Sequence, residues 1–212
     1  MLTDVSNLFA NCYYIQGEVP ADLFKNCSLL QNVSGAFNNC VSLRNPIYDP
    51  NDEECKYAVP KDLFAYNSHL NNATNLFRMD GGGIPHAPRL IGEVPKDLFR
   101  IPGAKLRTIR GLFHACTEIT GNLNSATFEN NTELRDCYEA FGETKLTSLG
   151  TNLFSTCNKV ENMELAFDRC TQLTGPAFNY RAMTSVVNKA RCFGGCTGLT
   201  EYNQMKQDGW AD

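Results

Sequence analysis

A large aliphatic residue, an apolar residue three places on, and a phenylalanine four places beyond that recur along the whole chain. The aliphatic positions are Leu2, Leu30, Leu70, Leu106, Leu134, Val160 and Val186. The middle positions include Val5, Val33, Ala73, Ile109, Cys137 and Met163, and the phenylalanines are Phe9, Phe37, Phe77, Phe113, Phe141, Phe167 and Phe193. Between them runs a second half-unit, V-P-x-D-L-F, at Val19–Phe24, Val59–Phe64 and Val94–Phe99. It decays, without its proline, at Leu123–Phe128 and Leu149–Phe154, and Phe178 completes the series. Every phenylalanine thus belongs to one periodic arrangement. Spacings of 28, 40, 36, 28, 26 and 26 between first-half phenylalanines give a unit of about 26–28 residues, lengthened by insertions at 46–57 and 80–89. Repetition at this period is the mark of stacked units, none of which can bury its apolar face alone.

The Leu-x-x-Val stretches are predicted to be extended. In V-P-x-D-L-F the proline suits the first position of a short helical turn, where Asp22, Asp62 and Asp97 are predicted to accept from free amides. The residue three after Phe in this half (Cys27, Asn67, Asn131, Cys157) is predicted to end the turn and bond the next connection. Amphipathic helices would also fit the 3-4-3 spacing, but Ser34-Gly35, Asn38-Asn39 and the recurrent prolines are poor helix-interior residues. The expected fold is an α/β repeat solenoid of short strands and short helical turns. It is read as one unit over 1–212, with a C-terminal cap at about 197–212.

Seven of the ten cysteines (Cys12, Cys27, Cys40, Cys116, Cys157, Cys170 and Cys196) stand three places after a phenylalanine, a series broken by Asp80 and Thr144. Free cysteine packs as a small hydrophobe. Turns spaced like packed helices, about 8–10 Å apart, would hold neighbouring thiols beyond the roughly 7 Å limit for a disulfide. Reduced, buried cysteines are therefore expected. Cys192-x-x-x-Cys196 lacks the second ligand pair that a zinc site needs, so no metal or cofactor is expected. Nineteen basic against twenty-three acidic residues, without long blocks, leave no basic stripe for nucleic acid. No apolar run approaches the roughly 18 residues of a membrane span, and the Met-Leu-Thr-Asp-Val start lacks the features of a signal peptide.

The two insertions fall at the same place in successive units, so stacking is predicted to bring them out on one side. Loops presented by a rigid scaffold commonly carry recognition. Tyr48 and Tyr57 offer flat amphipathic surface, Asp49, Asp52, Glu53 and Glu54 offer acceptors, and His86 and Arg89 offer donors, so a protein or glycan ligand is predicted there. The acidic run misses the EF-hand spacing and its central glycine, which makes it a solvated loop with calcium as the alternative. Gly81–Gly83 precede no phosphate-loop lysine. His69, His86 and His114 are predicted to lie on the surface. No repeat position supplies converging catalytic carboxylates, and a non-enzymatic role is expected.

Phe9-Ala-Asn-Cys12…Ile15, Ala36-Phe37-Asn-Asn-Cys40…Leu43 and Phe193-Gly-Gly-Cys196…Leu199 resemble the A-F-x-x-C-x-x-L signature of BspA-like leucine-rich repeats. The V-P-x-D-L-F half resembles the longer-period subset of that family, and Tyr202…Trp210 looks like its terminal cap. The insertions, Asp80 and Thr144 depart from the pattern. The resemblance implies a bacterial cell-surface or secreted, hence extracellular, module for adhesion or binding. A structural or receptor-binding component of a phage virion is the alternative. Terminal repeats need covering, yet Leu2-x-x-Val5-x-x-x-Phe9 enters the repeat at once, so the chain is expected to be a fragment, or its N-terminal coil to be covered by another chain or domain.

Overall fold

The computed structural model describes residues 1–80, 90–101 and 103–212. The residue five places before each first-half phenylalanine forms a parallel ladder that passes through Asp4, Asn32, Asn72, Thr108, Asp136, Asn162 and Asn188. The choice of residue has a local cause. Asp4 Oδ1 accepts from the Ser6 amide at 2.7 Å, Asn32 Oδ1 from Ser34 at 3.0 Å, and Thr108 Oγ1 from Arg110 at 3.2 Å. Asn72, Asp136 and Asn162 do the same at 3.0 Å. A short polar side chain that bonds its own backbone two residues on turns the chain out of the extended state after one bridge. A second parallel ladder follows each first half. It begins with single bridges at Gly17–Leu43 and Tyr57–Glu93. It widens into β1 (Gly92–Glu93), β2 (Ile119–Leu123) and β3 (Lys145–Leu149), paired in that order, and ends with β4 (Thr174–Gly175) paired to β5 (Gly198–Leu199).

The expected helical turns are absent around the first-half phenylalanines. In the Phe113 coil the amides of Ile109, Gly111, Phe113 and Ala115 donate to Asp136, Tyr138, Ala140 and Gly142 of the next coil at 2.8–2.9 Å. The intervening amides of Leu112, His114 and Cys116 donate back three residues within the coil at 3.0–3.3 Å. Alternate amides therefore face alternate partners, which a helix cannot arrange. The price is left-handed backbone. Among the described residues, every non-glycine with positive φ, from Asn7 (56°) to Arg191 (54°), lies two places before or after a phenylalanine. Such a conformation persists only where the surroundings enforce it, and here the coil-to-coil bonds do so. Gly35 (φ 63°) and Asn39 (57°) occupy these sites, which explains the helix-averse residues of the sequence. The V-P-x-D-L-F segments are also not helical. They make separate three-residue turns, as Leu63 to Pro60, Ala65 to Asp62 and Asn67 to Phe64, and Asp22, Asp62 and Asp97 cap no amide among the described residues. Asp97 instead faces Arg100 at 3.6 Å. Among the described residues, helix is confined to a 3-10 turn at Tyr180–Ala182 and to α1 (Tyr202–Gln207).

Stacking puts the rings in two columns. Phe9, Phe37, Phe77, Phe113, Phe141, Phe167 and Phe193 form one, and Phe24, Phe64, Phe99, Phe128 and Phe154 the other, with successive centroids 5.2–6.1 Å apart. Phe178 leaves the second column and wedges between Phe154, Phe167 and Phe193. Buried residues from Val5 to Trp210 make one continuous apolar cluster.

The position three after Phe proves to be a hydrogen-bond donor. The thiols of Cys40, Cys116, Cys170 and Cys196 reach the carbonyls of Phe9, Phe77, Phe141 and Phe167 of the preceding coil at 3.0–3.1 Å, and Cys157 reaches Phe128 at 3.6 Å. Asn131 Nδ2 donates to Phe99 at 2.8 Å in the same way. Thr144 turns instead to Phe141 of its own coil at 2.8 Å. Coils joined by backbone bonds lie about 4.8 Å apart, not at helix-packing distance, so separation does not keep the thiols apart as expected. No disulfide joins any of the ten cysteines among the described residues, and seven of them are buried. Burial pushes Cys40, Cys157 and Cys170 up to about 11. Thiolate is the reactive form, so iodoacetamide at pH 8 is expected to label exposed Cys12 first, half-buried Cys27 and Cys55 slowly, and the buried seven only on unfolding. Peptide mass mapping against time checks the order, and early labelling of Cys170 would contradict it.

The C-terminal end is closed. Trp210 lies across Phe193 with centroids 6.3 Å apart, and its carbonyl accepts the Phe193 amide at 2.9 Å. Tyr202 Oη accepts the Gly195 amide at 3.2 Å, so α1 and Trp210 together cover the Phe193 coil. No helix among the described residues is long and apolar enough to cross a membrane.

Candidate functional site

The insertion 46–57 is folded by its own carboxylates. Asp49 Oδ1 accepts from the Asn51 amide at 2.9 Å and Asp52 Oδ1 from Glu54 at 2.8 Å, so both acids build turns. Asn45 closes the base by donating to the Cys55 and Tyr57 carbonyls at 3.0 and 3.3 Å. Glu53 is held by Lys56 at 3.0 Å, which also faces Glu93 at 3.4 Å. Tyr48 is half-buried with its ring edge against Gly92, where a Cβ would stand 3.1 Å from Cε2. Tyr57 rejoins the second ladder opposite Glu93, with Lys56 Nζ 5.6 Å from its ring centre. Burial raises the Tyr57 phenol.

Tied down in this way, the insertion walls an open cleft between the V-P-x-D-L-F segments of the first two coils. Ile47, Ala21, Ala58, Val59 and Pro60 give it an apolar lining, and Ile47 is exposed within a polar loop. Glu18, Glu54, Lys61 and Asp62 form the charged rim, where Lys61 is already paired with Glu54 at 2.7 Å. Glu18 and Asp62 have no ion-pair partner among the described residues, which leaves the cleft with an uncompensated negative rim.

Of the residues predicted from sequence, only Glu54 and Tyr57 line this cleft. Tyr48, Asp49, Asp52 and Glu53 serve the loop's own fold, and His86 and Arg89 lie outside the described residues, as does nearly all of the insertion at 80–89. Glu18, Asn45, Ile47, Lys61 and Asp62 were missed. Ile47 was the available signal, a large aliphatic residue inside an otherwise polar insertion. No group of three or more His, Cys, Asp or Glu side chains among the described residues converges as a metal site.

His114 corrects a second expectation, because it is half-buried and its Nδ1 lacks a hydrogen-bond partner among the described residues. Beside it Arg78 reaches past Gly111 to Glu139 at 2.6 Å while its Nε holds Asp80 at 2.6 Å. Burial, and then the Arg78 charge, hold the His114 imidazole below 6.5, against the opposing pull of Glu139, Glu143 and Asp80. The native state thus binds fewer protons than the unfolded chain, and its stability falls as pH drops through and below about 6.5. His114→Gln is expected to flatten that acid limb. Urea midpoints measured from pH 7.5 downward check this, and an unchanged limb contradicts it.

No protein-family model matches this chain, and no curated protein does. Among solved structures, the plant peptide hormone receptor RGFR1 in complex with RGF2 is similar over 87% of this chain and 26% of the receptor chain, at 16% identity and a TM-score of 0.37. A leucine-rich repeat protein from Bacteroides ovatus is similar over 93% of this chain and 69% of that one, at 14% identity and a TM-score of 0.19. The chain spans about a quarter of the receptor's length. Superpositions this loose carry no argument about function.

Proposed function

We propose that the chain is a non-enzymatic binding module, a leucine-rich-repeat-like solenoid of the BspA kind, whose cleft beneath the first insertion takes a basic side chain of a polypeptide partner. The observation that carries this reading is the pairing of an apolar floor with two carboxylates, Glu18 and Asp62, that form no ion pair among the described residues. A lysine or arginine fits such a site by burying its methylene stem while its head meets the acids. A glycan would use the same acceptors but would leave their charge uncompensated. The repeat resemblance supports a setting at a bacterial surface or in a secreted protein, with adhesion as the role.

The test is a titration with short peptides that carry one arginine or lysine among small residues, read by calorimetry against the same peptides with citrulline or norleucine. Glu18→Gln and Asp62→Asn are expected to weaken binding by about fivefold each, the worth of an exposed ion pair of about 1 kcal/mol. Both side chains are exposed, so both variants keep the fold. Binding that ignores the peptide's charge, or survives the double variant, sinks the reading.

A further inference from the structure

We infer that a second cleft, between the Phe154 coil and the segment that carries Phe178, binds an uncharged oligosaccharide. The inference is independent of the cleft beneath the first insertion and begins with a change in the repeat. Two places before the second-half phenylalanine stand Asp22, Asp62 and Asp97, then Ala126 and Asn152. Four places before it, Pro20, Pro60 and Pro95 give way to Asn124 and Gly150. The coils of Phe128 and Phe154 have thus lost both the acid and the proline. The next link is also short, since Phe178 follows Phe167 by 11 residues where Phe154 follows Phe141 by 13. Phe178 therefore meets Phe154 edge-on, 5.1 Å away at 77°, and among the described residues no ring stacks on the second face of Phe154. A cleft lies there, with Phe154, Phe178 and Met183 as its apolar floor.

The break also leaves a carbonyl short of a donor. The Phe24, Phe99 and Phe128 carbonyls each receive a side-chain donor from the next coil, through Asn67, Asn131 and Cys157. The residue in the matching place for Phe154 is Arg181, whose guanidinium instead holds Asp208 at 3.1 Å. Among the described residues the Phe154 carbonyl accepts only the Cys157 amide, at 2.9 Å, which leaves its second lone pair open. Thr151, Asn152, Ser155, Asn158, Asn179 and Thr184 surround the cleft, all of them exposed. None of these six side chains makes a hydrogen bond among the described residues. No acidic or basic residue lines the cleft. Where it continues over Asn124, Ser125 and Thr156, Glu129 is held by Arg100 at 2.8 Å.

That combination selects the ligand. Side-chain amides and hydroxyls both donate and accept, as every sugar hydroxyl does, so the two sets pair in either sense along the cleft. A polypeptide backbone presents fixed donors and fixed acceptors, which this lining has no pattern to match. An ionised ligand of either sign would lose water without gaining a counter-charge. The apolar floor suits the C–H face of a sugar ring, and a sugar hydroxyl supplies the donor that the Phe154 carbonyl lacks. An apolar lining with a few convergent polar groups is the usual make-up of a small-ligand site. The cleft and its continuation cross three coils, about 10 Å at ladder spacing, which takes a short chain of sugars and not a single ring.

The experiment titrates the full ¹⁵N-labelled chain with maltohexaose, cellohexaose, xylohexaose and mannohexaose, and follows the side-chain amide resonances of Asn152, Asn158 and Asn179. At least one of these sugars is expected to shift all three resonances along a saturable curve. Its Kd is expected to change by less than about twofold between low and high salt, because no ion pair is made. Asn158→Ala and Asn179→Ala, both on exposed side chains, are expected to weaken binding about fivefold each, the worth of one hydrogen bond. Thr184→Trp, also at an exposed position, fills the cleft and abolishes the shifts while leaving the fold intact. The inference is overturned if no sugar gives a saturable shift at millimolar concentration, or if the shifts survive both alanine substitutions and Thr184→Trp. It is also overturned if a short peptide of Gly, Ser and Asn moves these resonances and no sugar does, since the occupant is then a polypeptide.

Discussion

Phe113→Ala is expected to cost about 3–5 kcal/mol, the range for emptying a buried aromatic site. The ring is fully buried, 5.2 Å from Phe77 on one side and 6.1 Å from Phe141 on the other. Its removal opens a void that backbone bonds on both sides prevent the coils from closing. Coils touch only their neighbours, so the damage is expected to spread outward from the Phe113 coil rather than strike the stack evenly. Urea denaturation gives the size of the loss, and native-state hydrogen exchange gives its place, with protection falling first in the Phe77 and Phe141 coils. Half-buried Phe9 has a ring on one side only, and Phe9→Ala is expected to cost clearly less. Equal losses at both positions would mean that the columns do not carry the stability.

The second large effect belongs to a polar residue. Asn67 is fully buried, and its Nδ2 donates to the Phe24 carbonyl at 3.1 Å and the Cys27 carbonyl at 2.8 Å. Asn67→Leu keeps the volume and takes one donor from each carbonyl, which retains the backbone amide of Cys27 or Leu30, at about 0.5–1.5 kcal/mol for each hydrogen bond lost. Asn67→Cys restores one donor, as the repeat does elsewhere, and is expected to recover about half of the loss. Denaturation midpoints of the two variants decide the matter. If leucine and cysteine prove equally costly, the position acts through shape and not through its donor.

The period was legible because a large aromatic side chain had to return once per half-coil, and no other arrangement of thirteen phenylalanines gives such even spacing. The donor role of the following Cys or Asn was not read correctly. Cys27, Asn67, Asn131 and Cys157 were expected to bond the next connection, whereas Asn67, Asn131 and Cys157 donate to the preceding coil, through a donor that N–H and S–H both supply. The V-P-x-D-L-F turns were expected to be helical because proline and aspartate stand where a helix would start, yet they close as separate three-residue turns. The left-handed backbone at Glu139, Leu165 and Arg169 (52°, 58° and 58°) goes against the preference of those side chains and is imposed by the neighbouring coil, so no local signal announces it. The cleft was half legible for a similar reason. Acidic residues in an insertion look like ligands, but Asp49 and Asp52 were committed to folding the loop, while Asp62 came from a V-P-x-D-L-F segment whose acid had been given a capping role and Glu18 stands just before another.

The alternation of amides also sets a grammar for change in this chain. From Asp4 to Cys12, and in each counterpart, neighbouring residues take opposite parts, one tying its own coil and the next reaching to another. A single residue gained or lost there would exchange those parts for everything downstream, much as a frameshift garbles a message read in pairs. Lengthening is harmless only in the links, where Pro46–Tyr57 was accommodated without disturbing the coils on either side. Lineages of such chains are therefore expected to grow by whole coils and to vary by loops.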